Sequence, residues 1–209
     1  LQEHYEWIDN QLNESIGNNV QKFLQNLFQR ISNAPKEQKK NILIYSLSSL
    51  LIFSNSDKIL NIINSDSKIK TEINKSPDIK SIVEDTLSKF KDPMTMKLSS
   101  KGWDNIKQEE GDPKHPGKPV LKAYKLGDGK ITVGWGHAEV INKSKFKVGQ
   151  QISLEEAKQL LRNDVKLASD GVRRMFMEWK KKGIDRKITQ DQYDVLVSIA
   201  FNIGVSGLR

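Results

Sequence analysis

The 209-residue sequence contains no cysteine. A disulfide framework and a thiolate metal site are therefore excluded, and the redox compartment stays open. Long apolar runs are also missing. The longest, Ile42 to Phe53, is broken by Tyr45, Ser46, Ser48 and Ser49, too short and too polar to span a bilayer. Leu1 is followed by acidic and amide residues, with no basic stretch leading into an apolar one, so no signal peptide is expected. Because Leu1 is not Met, the expectation is a piece of a longer chain. No helix-turn-helix, zinc-ligand set or aromatic-basic platform is visible, which leaves nucleic-acid binding resting on charge alone.

What is present suits a globular protein with a core: 36% hydrophobic and 29% charged residues. The net charge of +8 is unevenly spread. Leu1 to Lys97 holds 13 Lys/Arg against 12 Asp/Glu, and the remainder 21 against 14, a net of +7. That basic part is drawn to polyanions, among them nucleic acid, anionic lipid and the bacterial envelope.

Residues 1–97 read as all helical. Trp7, Ile8, Leu12, Ile16, Val20, Phe23, Leu24, Leu27, Phe28 and Ile31 recur at three- and four-residue steps. Pro35 opens the next helix. Ile42 to Phe53 predicts a buried helix, and Ile59 to Ile63 and Ile79 to Phe90 predict shorter ones, the last begun by Ser76-Pro77-Asp78. Nothing here carries recognisable chemistry, so the expectation is a structural adaptor. Lys91 to Leu98, with Asp92-Pro93, interrupts the periodicity and marks the boundary between a unit at 1–97 and one at 98–209.

In the second unit, Ser99 or Ser100 caps a short helix. Trp103, Ile106 and Glu110 share one face, while Glu109 points about 100° away. Gly111 occupies the position of a left-handed C-cap. A carboxyl at the end of an apolar face loses solvent and its pKa rises, as a general acid requires. Asp112 to Pro119, with three prolines, predicts a loop. Val120 to Leu126, Gly127-Asp128-Gly129 and Lys130 to Val133 predict a hairpin. Ser153 to Glu156 and Thr189 to Gln192 are capping boxes. The first precedes an apolar stripe from Ala157 to Trp179, and the second one from Tyr193 to Phe201.

These pieces resemble phage-type lysozymes, a glycoside hydrolase family. The resemblance is carried by Glu110-Gly111, Ala123-Tyr124, Thr132-Val133-Gly134-Trp135-Gly136-His137, Glu155-Glu156-Ala157 and Ala200-Phe201-Asn202-Ile203-Gly204, in order over residues 99–209. It implies an α+β fold in which a small hairpin lobe faces a helical lobe. It also implies a muramidase that cleaves the β-1,4 bond between N-acetylmuramic acid and N-acetylglucosamine, with peptidoglycan as partner and no cofactor or metal. By the match, Glu110 is the general acid, Thr132 orients the attacking water, Phe201 and Asn202 line the cleft, and His137 forms a structural ion pair. The family chain continues beyond the helix ending at Gly204, so a C-terminally incomplete domain is expected. The leading helical unit suggests a lysozyme within a larger phage protein. It would bind other virion proteins through 1–97 and act from the virion or during host lysis.

One position departs from the pattern. The family places an Asp or Cys six residues before its Thr, and here that residue is Leu126. Glu110 and Thr132 are separated by 21 residues against the family's 14, and the extra seven fit within Asp112 to Pro119. Leu126 cannot activate water. Asp128 in the same turn is the expected substitute, with Asp112 and Glu139 as weaker candidates. The rival expectation is a catalytically impaired structural or peptidoglycan-binding module.

Overall fold

A computed structural model describes residues 20–53 and 56–208 of the chain. It divides into two compact units. One comprises Leu1–Met96 with Phe176–Gln190, the other Lys97–Met175 with Asp191–Arg209.

The first unit carries helices α1 (Val20–Asn33), α2 (Lys36–Phe53), α3 (Ser56–Ser65), α4 (Ser67–Asn74) and α5 (Pro77–Ser88). The apolar stripe of α1 explains its packing, since Phe23, Leu24, Leu27, Phe28 and Ile31 are all buried. They meet Leu43, Leu47 and Leu50 of α2, Ile59 and Ile63 of α3, Ile69 and Ile73 of α4, and Ile79 and Val83 of α5 in one core. Ser46, which interrupts the apolar run of α2, is fully buried and donates its hydroxyl to Ile42 O at 2.7 Å. A polar residue thus enters the core with its hydrogen bond satisfied. The expected stripe from Trp7 to Ile16 lies outside the described residues. Helix α4 was not expected, because Ile69 and Ile73 alone make too short a stripe to read. Asp66 secures it, accepting from Lys68 N and Ile69 N at 2.9 and 3.0 Å. Lys91 and Ile188 of this unit exchange backbone hydrogen bonds at 2.9 and 3.0 Å.

The second unit begins with α6 (Ser100–Glu110). Ser99 caps it, its Oγ accepting from Gly102 N at 3.1 Å. A three-stranded antiparallel sheet follows in the order β1 (Val120–Lys125), β2 (Lys130–Gly134), β3 (His137–Val140). The β1–β2 hairpin is the expected one. Strand β3 is an addition that the sequence hid, since four residues beyond a Gly-Trp-Gly turn give too little alternation to recognise. The outer edge of β1 is covered too: Ala123 N donates to Gln150 O, and Ile152 N to Leu121 O. Backbone groups at a sheet edge are thereby paired.

Helix α7 (Leu154–Lys181) starts with a complete capping box. Ser153 N donates to Glu156 Oε2 at 2.7 Å, and Glu156 N to Ser153 Oγ at 3.1 Å. Its stripe from Ala157 to Phe176 is buried, whereas Trp179 remains 37% exposed, edge-on to Phe176. Helix α8 (Gln190–Ile203) buries Tyr193, Val197 and Ala200.

The residues between α5 and α6 form no helix and lie exposed or half-buried, apart from Phe90, Pro93 and Met96, which are buried. We propose that they separate 1–97 from 98–209 as folding units. Limited trypsin digestion is expected to cut between Lys89 and Lys101 before it cuts within α7. Early cleavage inside α7 with residues 89–101 intact would refute the boundary.

Candidate active site

Glu110 closes α6, and two elements of the second unit converge on its carboxyl. The turn between β2 and β3 brings Gly136 so close that a Cβ there would stand 2.9 Å from Glu110 Oε2. Gly136 also has φ of 76°, a conformation that L side chains adopt at a cost. The backbone conformation calls for glycine, and the absent side chain leaves room for the carboxyl. The end of α8 brings the Asn202 side chain beside Glu110, where its Nδ2 donates to Ser198 O at 3.2 Å. One turn earlier, Ser198 Oγ donates to Glu109 Oε2 at 3.2 Å. The two adjacent carboxylates therefore meet different partners, as their angular separation on the helix requires.

Burial, followed by the neighbouring charge of Glu109, raises the pKa of Glu110; the polar side chain of Asn202 opposes them. Loss of water around a carboxylate penalises its charged form. Gly111, read from sequence as a left-handed C-cap, is instead extended, with φ −71° and ψ 175°. Its lack of a side chain matters for another reason. A Cβ there would meet Gly117 N and Lys107 O, both at 2.7 Å. The inserted loop folds back onto the helix end, where Asp112 N donates to Lys118 O at 2.7 Å and Trp135 Nε1 to Gly117 O at 3.1 Å.

Thr132 lies in the central strand, opposite Tyr124 of β1 and Ala138 of β3. It is buried, and its Oγ1 has no hydrogen-bond partner among the described residues. A buried hydroxyl without a partner is uncommon in folded proteins.

The other carboxylates are occupied locally. Asp128 is exposed at the hairpin tip, where it accepts from Lys130 N at 3.1 Å and pairs with Lys130 Nζ at 3.3 Å. The Lys130 N–H, chief among these contacts, lowers its pKa. Asp112 accepts from Lys114 N and contacts His115 Nδ1, which holds its pKa low. Glu139 accepts from Lys145 N at 2.9 Å and faces His137 Nε2 at 3.2 Å. Leu126, at the family's carboxylate position, is 44% exposed. Phe201 is half-buried and Asn202 exposed at the end of α8.

His137 stands between two carboxylates. Its Nδ1 is 2.9 Å from Asp164 Oδ2 of α7, and Nε2 faces Glu139. Asp164 was not picked out from the sequence, because an acid within an amphipathic helix reads as part of its solvated face.

The family model for phage lysozyme matches residues 118–209. This segment belongs to the phage lysozyme family. The lysozyme segment contains Thr132, His137, Asp164 and Asn202, while Glu110 lies upstream of the match, across the inserted loop. The endolysin of Salmonella phage P22 is 32% identical over 111 residues, spanning 53% of this chain and 66% of the relative. The endolysin of Bacillus phage PZA is 34% identical over 116 residues, 54% of this chain and 38% of that protein. The chain thus spans less than two thirds of the length of these curated relatives. A crystal structure of a P22 lysozyme point mutant is 30% identical, covers 54% of this chain and 66% of that one, and superimposes with a TM-score of 0.40.

The ion triad makes stability depend on pH. Asp164, first, and then Glu139 raise the pKa of His137 against the effect of burial. The imidazolium's contribution is complete below the unfolded pKa of about 6.5 and is lost as pH rises through the folded value. Glu139 behaves oppositely. Burial raises its pKa, but the Lys145 N–H and His137 outweigh it and the net shift is downward. Its contribution holds above the unfolded value of about 4.3 and fades as pH falls through the folded one. His137→Asn should therefore lower unfolding free energy by about 1.5–3 kcal/mol between these limits. The gap to wild type should narrow above neutral pH in urea titrations. A gap independent of pH would show that the pair is not ionised as described.

Proposed function

We propose that the chain is a peptidoglycan hydrolase of the lysozyme type, cleaving the β-1,4 bond between N-acetylmuramic acid and N-acetylglucosamine. The observation that carries this reading is the opposed tuning of two carboxyls, the pKa of Glu110 raised by burial and that of Asp128 lowered by the Lys130 N–H. Glycoside hydrolysis needs one acid to protonate the leaving oxygen and one carboxylate to activate water or attack the sugar. Environments that push two pKa values apart supply such a pair.

In this proposal Glu110 protonates the glycosidic oxygen. Asn202 then remains to orient the carboxylate that results. Thr132, whose hydroxyl has no partner among the described residues, positions the water. Asp128 takes the proton from that water, in place of the carboxylate that Leu126 lacks. Phe201, beside Asn202, contacts the sugar at the rim of the cleft. Residues 1–97 act as an adaptor toward other phage proteins, and the wall is attacked from the virion or during host lysis.

The second reading, a wall-binding module without catalysis, is favoured by Leu126 and by the engagement of Asp128 within its own turn. Turbidity loss of purified cell walls separates the two. Glu110→Gln should abolish lysis while circular dichroism stays unchanged, and Glu109→Gln should retain most activity. Equal loss in both variants would refute the facing argument, and wall binding without lysis in wild type would establish the second reading. Asp128→Asn should cost about two orders of magnitude or more, comparable to the loss of a general base. Wild-type lysis in that variant would remove Asp128 from the mechanism. The rate should fall on the alkaline side as Glu110 ionises and on the acid side as Asp128 takes up a proton, giving a bell-shaped profile.

A further inference from the structure

A concave site lies in the lysozyme-bearing unit, and Glu110 is not among its lining residues. It encloses about 490 Å³ between α6, the inserted loop, the β2–β3 turn and the start of α7. That volume falls within the range of ligand pockets. Trp103, Trp135, Leu161 and Leu154 make its walls. Trp135 and Leu161 are buried beneath it, at 5% and 3% exposure, while Leu154 is 47% exposed at the mouth. The one polar atom of Trp135 is engaged, since its Nε1 donates to Gly117 O. Four cations stand around this apolar floor: Lys107, Lys118, Lys158 and Arg162.

Their charge is only partly neutralised. Lys107 pairs with Asp104 at 3.2 Å, while Lys158 and Arg162 share the single carboxylate of Glu155, at 3.4 and 2.9 Å. Lys118 has no carboxylate partner among the described residues. Four cations against two carboxylates leave two positive charges at the mouth. The surrounding residues 98–209 add a net +7.

The combination specifies an amphiphile, with an apolar body and an anionic head. An extended peptide would bring backbone N–H and C=O groups that need partners when buried, and these walls offer few. A hydrocarbon chain needs none. We propose that this groove takes an acyl chain of an anionic bilayer lipid, with the lipid phosphate held by Lys118 and Arg162. Tryptophan beside basic residues suits the boundary between headgroup and hydrocarbon. Each cation near an anionic membrane surface adds attraction that salt weakens. A hydrolase so held would work on the wall from the side nearest the lipid, and its lipid contact is separable from its chemistry.

The test is sedimentation with vesicles of phosphatidylglycerol and phosphatidylcholine in equal parts, against phosphatidylcholine alone. Trp7→Phe with Trp179→Phe leaves Trp103 and Trp135 as reporters, and lipids brominated in the acyl chain serve as quenchers. The mixed vesicles should bind the chain and quench its fluorescence. Lys118→Glu with Arg162→Glu should weaken binding about tenfold or more, given the attraction per cation at such a surface. Leu154→Asp should abolish quenching. All of these variants should keep the wild-type rate of wall hydrolysis, so the fate of this site is read independently of the catalytic one. Absence of binding to the mixed vesicles would overturn the proposal. So would binding without quenching, or equal weakening by Lys122→Glu with Lys125→Glu on β1, since either would indicate general basic charge. Displacement of vesicles by an acidic amphipathic peptide that itself quenches both tryptophans would assign the groove to a protein partner and equally overturn it.

Discussion

The geometry around Glu110 depends on one contact, a carboxyl pressed against backbone that bears no side chain. Gly136 permits the β2–β3 turn to reach within 2.9 Å, measured from where a Cβ would be, of Glu110 Oε2. That approach shields the carboxyl from water and gives its proton affinity a structural cause. A side chain at position 136 would push the Glu110 carboxyl out of this setting. The sheet, the inserted loop and the end of α8 are arranged around this approach, with one tether between turn and loop and two from α8. Trp135 holds the loop, Asn202 reaches the carboxyl itself, and Ser198 engages its neighbour Glu109.

The helices were legible in the sequence because their apolar spacing repeats over several turns. In α1 and α7 the stripe names the buried residues almost one for one, and Ser153 and Glu156 announce the start of α7. The hairpin was legible from Gly127-Asp128-Gly129. Short elements were not. Helix α4 rests on two isoleucines and a cap, and β3 has four residues with no strong alternation. Gly111 shows another limit. A glycine after a helix signals left-handed backbone in general, but here its value is close passage of the loop past Lys107 O.

At the candidate site, the facing of Glu110 could be read from helical spacing, and its raised pKa follows from the burial that this facing produces. The partners of that carboxyl could not be read, since Gly136 and Asn202 reach it only through tertiary packing. The same holds for His137, whose ion triad draws Asp164 from a helix and Glu139 from its own strand. Asp128 illustrates the converse. Its turn chemistry is local and therefore legible, and it is satisfied by Lys130 two residues on.

The start of α6 has its own anchor. Ser99 N donates to Asp194 Oδ1 at 3.0 Å, and Ser99 Oγ also hydrogen-bonds that carboxylate, which is buried. The two residues lie 95 positions apart in the chain. Contacts of such separation slow folding, because a long loop must close before they form. During synthesis the ribosome must deliver α8 before Ser99 can meet its partner. The segment bearing Glu110 thus emerges early yet acquires its final setting late, so a nascent chain halted before α8 would lack both the clamp at one end of α6 and the amide at the other.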